Sequence, residues 1–233
     1  MPDKVFNYDS PFIRGLLKAA DVLWLNILTV LLMIPVITFG PALSALSYTC
    51  LKMARDEDSY VTKMYFKAFK TKFWQSAGLG IIGLLALVFL GGGGYAVFWA
   101  YRSAFPLLFK IAFGIAATLV ASALIYVFPL QGRFSNTIPQ TIKNAFWASL
   151  VQAPKTLLML LMWLFIPALI LFVSGNFTPL IFLFGIGGPA YFNAVVYNPL
   201  FKQMEHRIRV ANGEETDEPD ETDDAEDGGK GEE

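Results

Sequence analysis

The side chains that most often do chemistry are scarce in this chain. It has one histidine, His206, and one cysteine, Cys50. A structural or catalytic zinc site takes three or four Cys, His or carboxylate ligands at short spacings, and no such Cys/His spacing exists here. A Ser/His/Asp relay would need His206, which sits in a charged stretch with Lys202, Glu205, Arg207 and Arg209, away from the apolar runs. Cys50 has no partner for a disulfide within the chain and reads as a small packing residue. The run Gly91 to Gly94 is followed by Tyr95 and Ala96, not by the Lys-Ser/Thr of a phosphate loop. The residues therefore predict no catalytic, cofactor-binding or metal site, and the expectation is a protein that is not an enzyme.

Polar chemistry within the apolar runs is neutral. Ion-coupled transport usually needs ionisable groups at membrane depth, and the central parts of these runs contain none. Asn26, Thr29, Ser44, Ser47, Thr118, Ser122 and Asn193 are expected to form hydrogen bonds between helices. Asn26 and Asn193 are the candidates for an intramembrane polar site. Two further segments interleave cations with aromatic rings. The first, residues 60–74, carries Lys63, Lys67, Phe69, Lys70, Phe73 and Trp74; the second, residues 143–155, carries Lys143 and Trp147. These eight residues are the candidates for docking a partner, in surroundings that also suit anionic lipid headgroups.

The elements that must position these residues follow from composition. Of 233 residues, 55% are hydrophobic and 16% are charged, whereas a soluble domain is about a quarter charged. Twelve of the 19 acidic residues and one of the 18 basic ones fall in residues 212–233, so the tail carries −11 and the body +10. The basic residues flank apolar runs instead of covering a polar surface, which argues against nucleic acid and for a lipid bilayer. The tail, acidic and without aromatics, is expected to be disordered.

The spacing predicts an all-α, polytopic membrane bundle over residues 1–211. Ser10 and Pro11 supply a helix start, and the first apolar run reads as a spanning helix, not a cleavable signal. Pro35 and the pair Gly40-Pro41 interrupt residues 22–53. Read as two elements, the second is short and needs an extended link over residues 36–40 to complete it. Asp58 and Ser59 are expected to cap an interfacial helix over residues 60–74 that feeds the next span, residues 75–99, with the four-glycine run ending or bending it. Spans over 106–130, 156–173 and 177–200 follow, the last two joined by a turn at 174–176. The total is six membrane elements, with five the alternative. Six elements place 16 basic residues on one side against Arg102 and Lys110 on the other, and the excess of positive charge inside then puts both termini in the cytoplasm. A faint echo joins Gly40-Pro41-Ala42 to Gly188-Pro189-Ala190.

The N-terminal third also carries a resemblance. Phe6-Asn7-Tyr8-Asp9-Ser10-Pro11, Leu25-Asn26, Ile34-Pro35-Val36-Ile37-Thr38-Phe39-Gly40, Arg55-Asp56-Glu57 and Phe66-Lys67-Ala68-Phe69-Lys70 resemble the YesL-like family of bacterial integral membrane proteins of unknown function. The resemblance covers about residues 6–80 and continues, more weakly, around Arg133-Phe134 and Lys143-Asn144-Ala145. It implies a multi-pass protein of the bacterial plasma membrane. Family genes often neighbour genes for carbohydrate ABC transporters and polysaccharide degradation, so it implies an accessory or regulatory role in carbohydrate uptake, with transporter permease subunits as partners. The alternative is a small transporter or channel in its own right.

Overall fold

The computed structural model describes residues 11–57, 60–101, 104–172 and 185–213. Every regular element among them is helical. The helices are α1 (Pro11–Leu32), α2 (Phe39–Ala54), α3 (Val61–Lys70), α4 (Phe73–Tyr95), α5 (Leu107–Arg133), α6 (Ile138–Val151), α7 (Ala153–Phe172) and α8 (Gly187–Ala211). The chain divides into two compact units, Met1–Val196 and Tyr197–Glu233, with the boundary inside α8. In the second unit the rings of Tyr197 and Phe201 lie 4.7 Å apart, one helical turn from each other. The predicted tail disorder, the capping by Asp58 and Ser59, and the turn at 174–176 fall outside the described residues.

Three helical stretches, Phe12–Leu32, Phe73–Ala100 and Leu107–Arg133, are long and apolar enough to cross a membrane. A fourth candidate is the pair α6 and α7, bent by 102° at Gln152. The second expected element is α2, whose 16 residues rise about 24 Å, short of the roughly 30 Å hydrocarbon core. The extended link expected at 36–40 is not formed. Only Pro35 is extended, and Val36–Thr38 makes a 3-10 turn that leads directly into α2. The Thr38 hydroxyl closes that turn by donating to the carbonyls of Pro35, at 2.7 Å, and Leu32.

The helices α1 and α2 form a hairpin. Lys18, near the start of α1, reaches the Met53 carbonyl at 3.1 Å and the Asp56 carboxylate at 2.6 Å, just beyond the end of α2. The N-terminal part of α1 and the C-terminal end of α2 therefore lie together.

Packing centres on α2, which is flanked by α1, α3, α4 and α5. Ten of its 16 residues are buried. Small residues set the closeness of approach. A Cβ at Gly80 would lie 2.5 Å from the Gly40 nitrogen, and one at Gly132 would lie 2.7 Å from the Ser44 carbonyl oxygen. Gly40 and Gly80 thus let α2 and α4 touch backbone to backbone, and Gly132 does the same for α2 and α5. Gly78 and Gly83, also in α4, meet only side chains.

Two expected features of α3 and α4 are corrected. The aromatic helix does not run on to Trp74, because Thr71 is extended and Lys72 adopts a left-handed φ of 56°. Phe73 and Trp74 therefore begin α4. The four glycines neither end nor bend α4 out of helical form; the helix passes through them and widens into a π turn at Ala96–Ala100, closed by Tyr101 N–H to the Ala96 carbonyl at 2.9 Å. In an apolar stretch every backbone group must be satisfied within the segment, which outweighs the poor helix propensity of glycine. The Gly-Pro-Ala echo has a local cause: in both α2 and α8 the Gly-Pro pair falls in the first turn, where proline's missing N–H costs no hydrogen bond.

Candidate functional site

The exposed cation–aromatic surface comes from α3, the start of α4, and α6. Lys63, Lys67 and Lys70 are exposed on α3, and Lys143 is exposed on α6. Trp74 is 77% exposed and Trp147 58%. Phe69 and Phe73 are only partly exposed. They belong to a ring ladder in which Tyr65 stacks on Phe69 at 6.5 Å, Phe69 meets Phe73 at 5.5 Å, and Phe73 meets Trp74 at 5.6 Å. That ladder spans the break at Thr71 and Lys72 and holds the two helices in register. It gives Phe69 and Phe73 a packing role and leaves Trp74 outward.

The same break ties the two segments together. Lys72 Nζ donates to the Phe134 carbonyl at 2.9 Å and to Ser135 Oγ at 3.1 Å. The Gln75 amide donates to the Asn136 carbonyl. These bonds fasten the start of α4 to the link between α5 and α6, so the α3 and α6 surfaces emerge at the same end of the α4–α5 hairpin. Thr137 starts α6, its N–H donating to Gln140 Oε1 at 3.1 Å.

Beneath Lys67 and Lys72 lies a cavity of about 290 Å³, framed by α2, α3, α4 and α5. Its walls include Lys67, Lys72, Arg133, Ser44 and Gln131, and no Asp or Glu. The Ser44 hydroxyl and the Gln131 amide nitrogen are buried without a hydrogen-bond partner. Gln131 Oε1 already accepts from the Thr141 hydroxyl at 3.2 Å. Partial burial pushes the Lys72 ammonium below its usual range. Arg133 and Lys52 act on Glu57, whose carboxyl is held low first by its hydrogen bond from Lys52. Of the eight docking candidates only Lys67 reaches this cavity. Along the chain Lys72 and Arg133 belong with the basic residues expected on the cytoplasmic side, and Ser44 with the polar residues expected to bridge helices; their clustering depends on the crossing of four helices and has no signal in the sequence.

The two asparagines have different settings. Asn26 is fully buried, and its Oδ1 accepts the N–H of Ile186 at 2.9 Å and of Gly187 at 2.7 Å, capping α8. Asn193, further along α8, is buried with Oδ1 unpartnered. The expectation of bonds between helices holds for Asn26, and for Thr29, whose hydroxyl donates to the Tyr65 hydroxyl at 3.2 Å. Thr118 and Ser122 instead donate back to carbonyls of their own helix, Gly114 and Thr118, at 2.9 and 2.7 Å. Among the described residues, no group of three or more His, Cys, Asp or Glu is placed to hold a metal ion.

No curated protein and no solved structure matches the chain. A family model described as a protein of unknown function, DUF624, matches residues 22–91, from α1 through α2 and α3 to the glycine run of α4. The matched stretch overlaps the residues that carry the YesL-like resemblance, and neither description assigns an activity.

Proposed function

We propose that this membrane protein is a non-enzymatic accessory or regulatory partner of carbohydrate uptake in the bacterial plasma membrane. In this reading both termini are cytoplasmic, and the chain docks permease subunits of a carbohydrate ABC transporter. The observation that carries the reading is the exposed surface of Lys63, Lys70, Trp74, Lys143 and Trp147, gathered at one end of the α4–α5 hairpin. Tryptophans are frequent anchors of protein interfaces, and lysines around them steer encounter with an acidic surface. The excess of basic residues supports a cytoplasmic location for that end. The link to sugars is supported by the YesL-like resemblance.

A deletion strain tests the proposal. Loss of the gene is expected to lower uptake of a transported oligosaccharide, wild-type protein to restore it, and a Lys63→Glu, Lys70→Glu, Lys143→Glu variant to reach the membrane without restoring it. Uptake unaffected by the deletion across a panel of sugars would sink the reading.

A further inference from the structure

The cavity beneath α3 is built for a ligand with several acceptor oxygens. Three side-chain cations, Lys67, Lys72 and Arg133, line it, and no carboxylate does. Ser44 is 3% exposed and Gln131 1%, yet Ser44 Oγ and Gln131 Nε2 lack partners. Since Gln131 Oε1 is spent on Thr141, what the side chain has left to offer is its two N–H donors. Leaving a buried donor unsatisfied costs about 1–3 kcal/mol, so an acceptor entering this cavity gains by relieving it. A volume of about 290 Å³ lies near the lower bound of small-ligand sites, roughly 300 Å³. It suits one compact charged group, not an extended chain.

We propose that this cavity binds a phosphate monoester group, held by Lys67, Lys72 and Arg133 with donors from Ser44 and Gln131. A carboxylate carries one charge on two oxygens. A phosphate monoester carries roughly −1.5 to −2 on three terminal oxygens, a better match to three cations and donors on several walls. The group can arrive on a soluble sugar phosphate or on the headgroup of phosphatidic acid, since the cavity sits at the end of α4 and α5 where the apolar spans begin. The site does not depend on the partner docking proposed above, and it is measured on the protein alone.

The test uses the full chain in nanodiscs. In pure phosphatidylcholine discs, glucose 6-phosphate is titrated by calorimetry. In discs doped with phosphatidic acid, native mass spectrometry counts the lipids retained. One equivalent bound in the first arm assigns the soluble source, and one phosphatidic acid retained in the second assigns the lipid. In either case Ser44→Ala, Lys67→Gln and Gln131→Leu are each expected to weaken binding about tenfold, the loss of one charge-assisted or buried hydrogen bond. Ser44→Ala removes a hydroxyl without a partner, so the variant stays folded and its thermal unfolding is expected to be unchanged or raised. Absence of saturable binding in both arms, or binding that none of the three variants weakens, overturns the proposal.

Discussion

Asn26 Oδ1 stands 2.7 Å from the backbone nitrogen of Gly187, 161 residues away in sequence. The same oxygen takes the N–H of Ile186, so a side chain in α1 satisfies two of the orphan donors at the start of α8. Gly187 is required at this contact because a Cβ there would come within 2.8 Å of the Val22 carbonyl oxygen and 3.0 Å of the Asn26 Cβ. Replacing Asn26 by Ala removes the cap and leaves two N–H groups unpaired, with an expected cost of about 2–3 kcal/mol. Asn26→Leu, which restores the volume but not the acceptor, is expected to be equally unstable in detergent-monitored thermal unfolding. Recovery of stability by Leu would reduce Asn26 to a packing residue.

The contact of α2 with α4 predicts opposite outcomes for two alanine substitutions. Gly80→Ala drives a methyl group against the Gly40 nitrogen, 2.5 Å away, with backbone on both sides. The expected loss is roughly 1–3 kcal/mol or more, because neither helix can yield without breaking the other contacts of α2. Gly91→Ala meets nothing within 4 Å and replaces glycine in a helix by a better helix former, a gain of up to about 1 kcal/mol. Thermal unfolding of both variants beside the wild type checks the pair. Equal behaviour would mean that α2 and α4 are not in close backbone contact.

Acid sensitivity follows from the link between α2 and α3. The hydrogen bond from Lys18 holds the Asp56 carboxyl below its ordinary value of 3.8, and the bond from Lys52 does the same for Glu57 below 4.5. Because the folded values are depressed, the stabilisation is present above the ordinary values and is lost as pH falls through the depressed ones. Wild-type stability is therefore expected to fall more steeply below about pH 5 than that of Asp56→Asn, Glu57→Gln. Both carboxylates lie at the surface, so added salt should narrow the difference. Parallel slopes for the two proteins would show that neither ion pair persists in solution.

Much of the helical scaffold is legible along the chain. The start of α1 at Pro11 and the apolar stretches of α4 and α5 follow from periodicity, length and helix-start chemistry. The exposed lysines and tryptophans of the candidate docking surface are legible too, since they interrupt apolar runs at interfacial positions. What escapes is set by long-range geometry. The left-handed turn at Lys72 carries no Gly or Asn to announce it, and it moves Phe73 and Trp74 into α4. The glycine run stays helical because its surroundings decide its hydrogen bonding. Gly40, Gly132 and Gly187 acquire their roles only when another backbone crosses them. The cavity at Ser44, Lys72, Gln131 and Arg133 assembles from four helices, and the partner of Asn26 lies at the other end of the chain.

The proposed function rests on a docking surface for a transporter. The most direct measurement is affinity purification of the tagged protein from its native membrane in mild detergent, with quantitative mass spectrometry of the associated chains, for the wild type and for Lys63→Glu, Lys70→Glu, Lys143→Glu. Carbohydrate-transporter permease subunits are expected at near-stoichiometric amounts with the wild type, and at most about a tenth of that amount with the variant, because several steering charges at one interface are reversed. Purification of the wild-type protein alone, or only with further copies of itself, would contradict it.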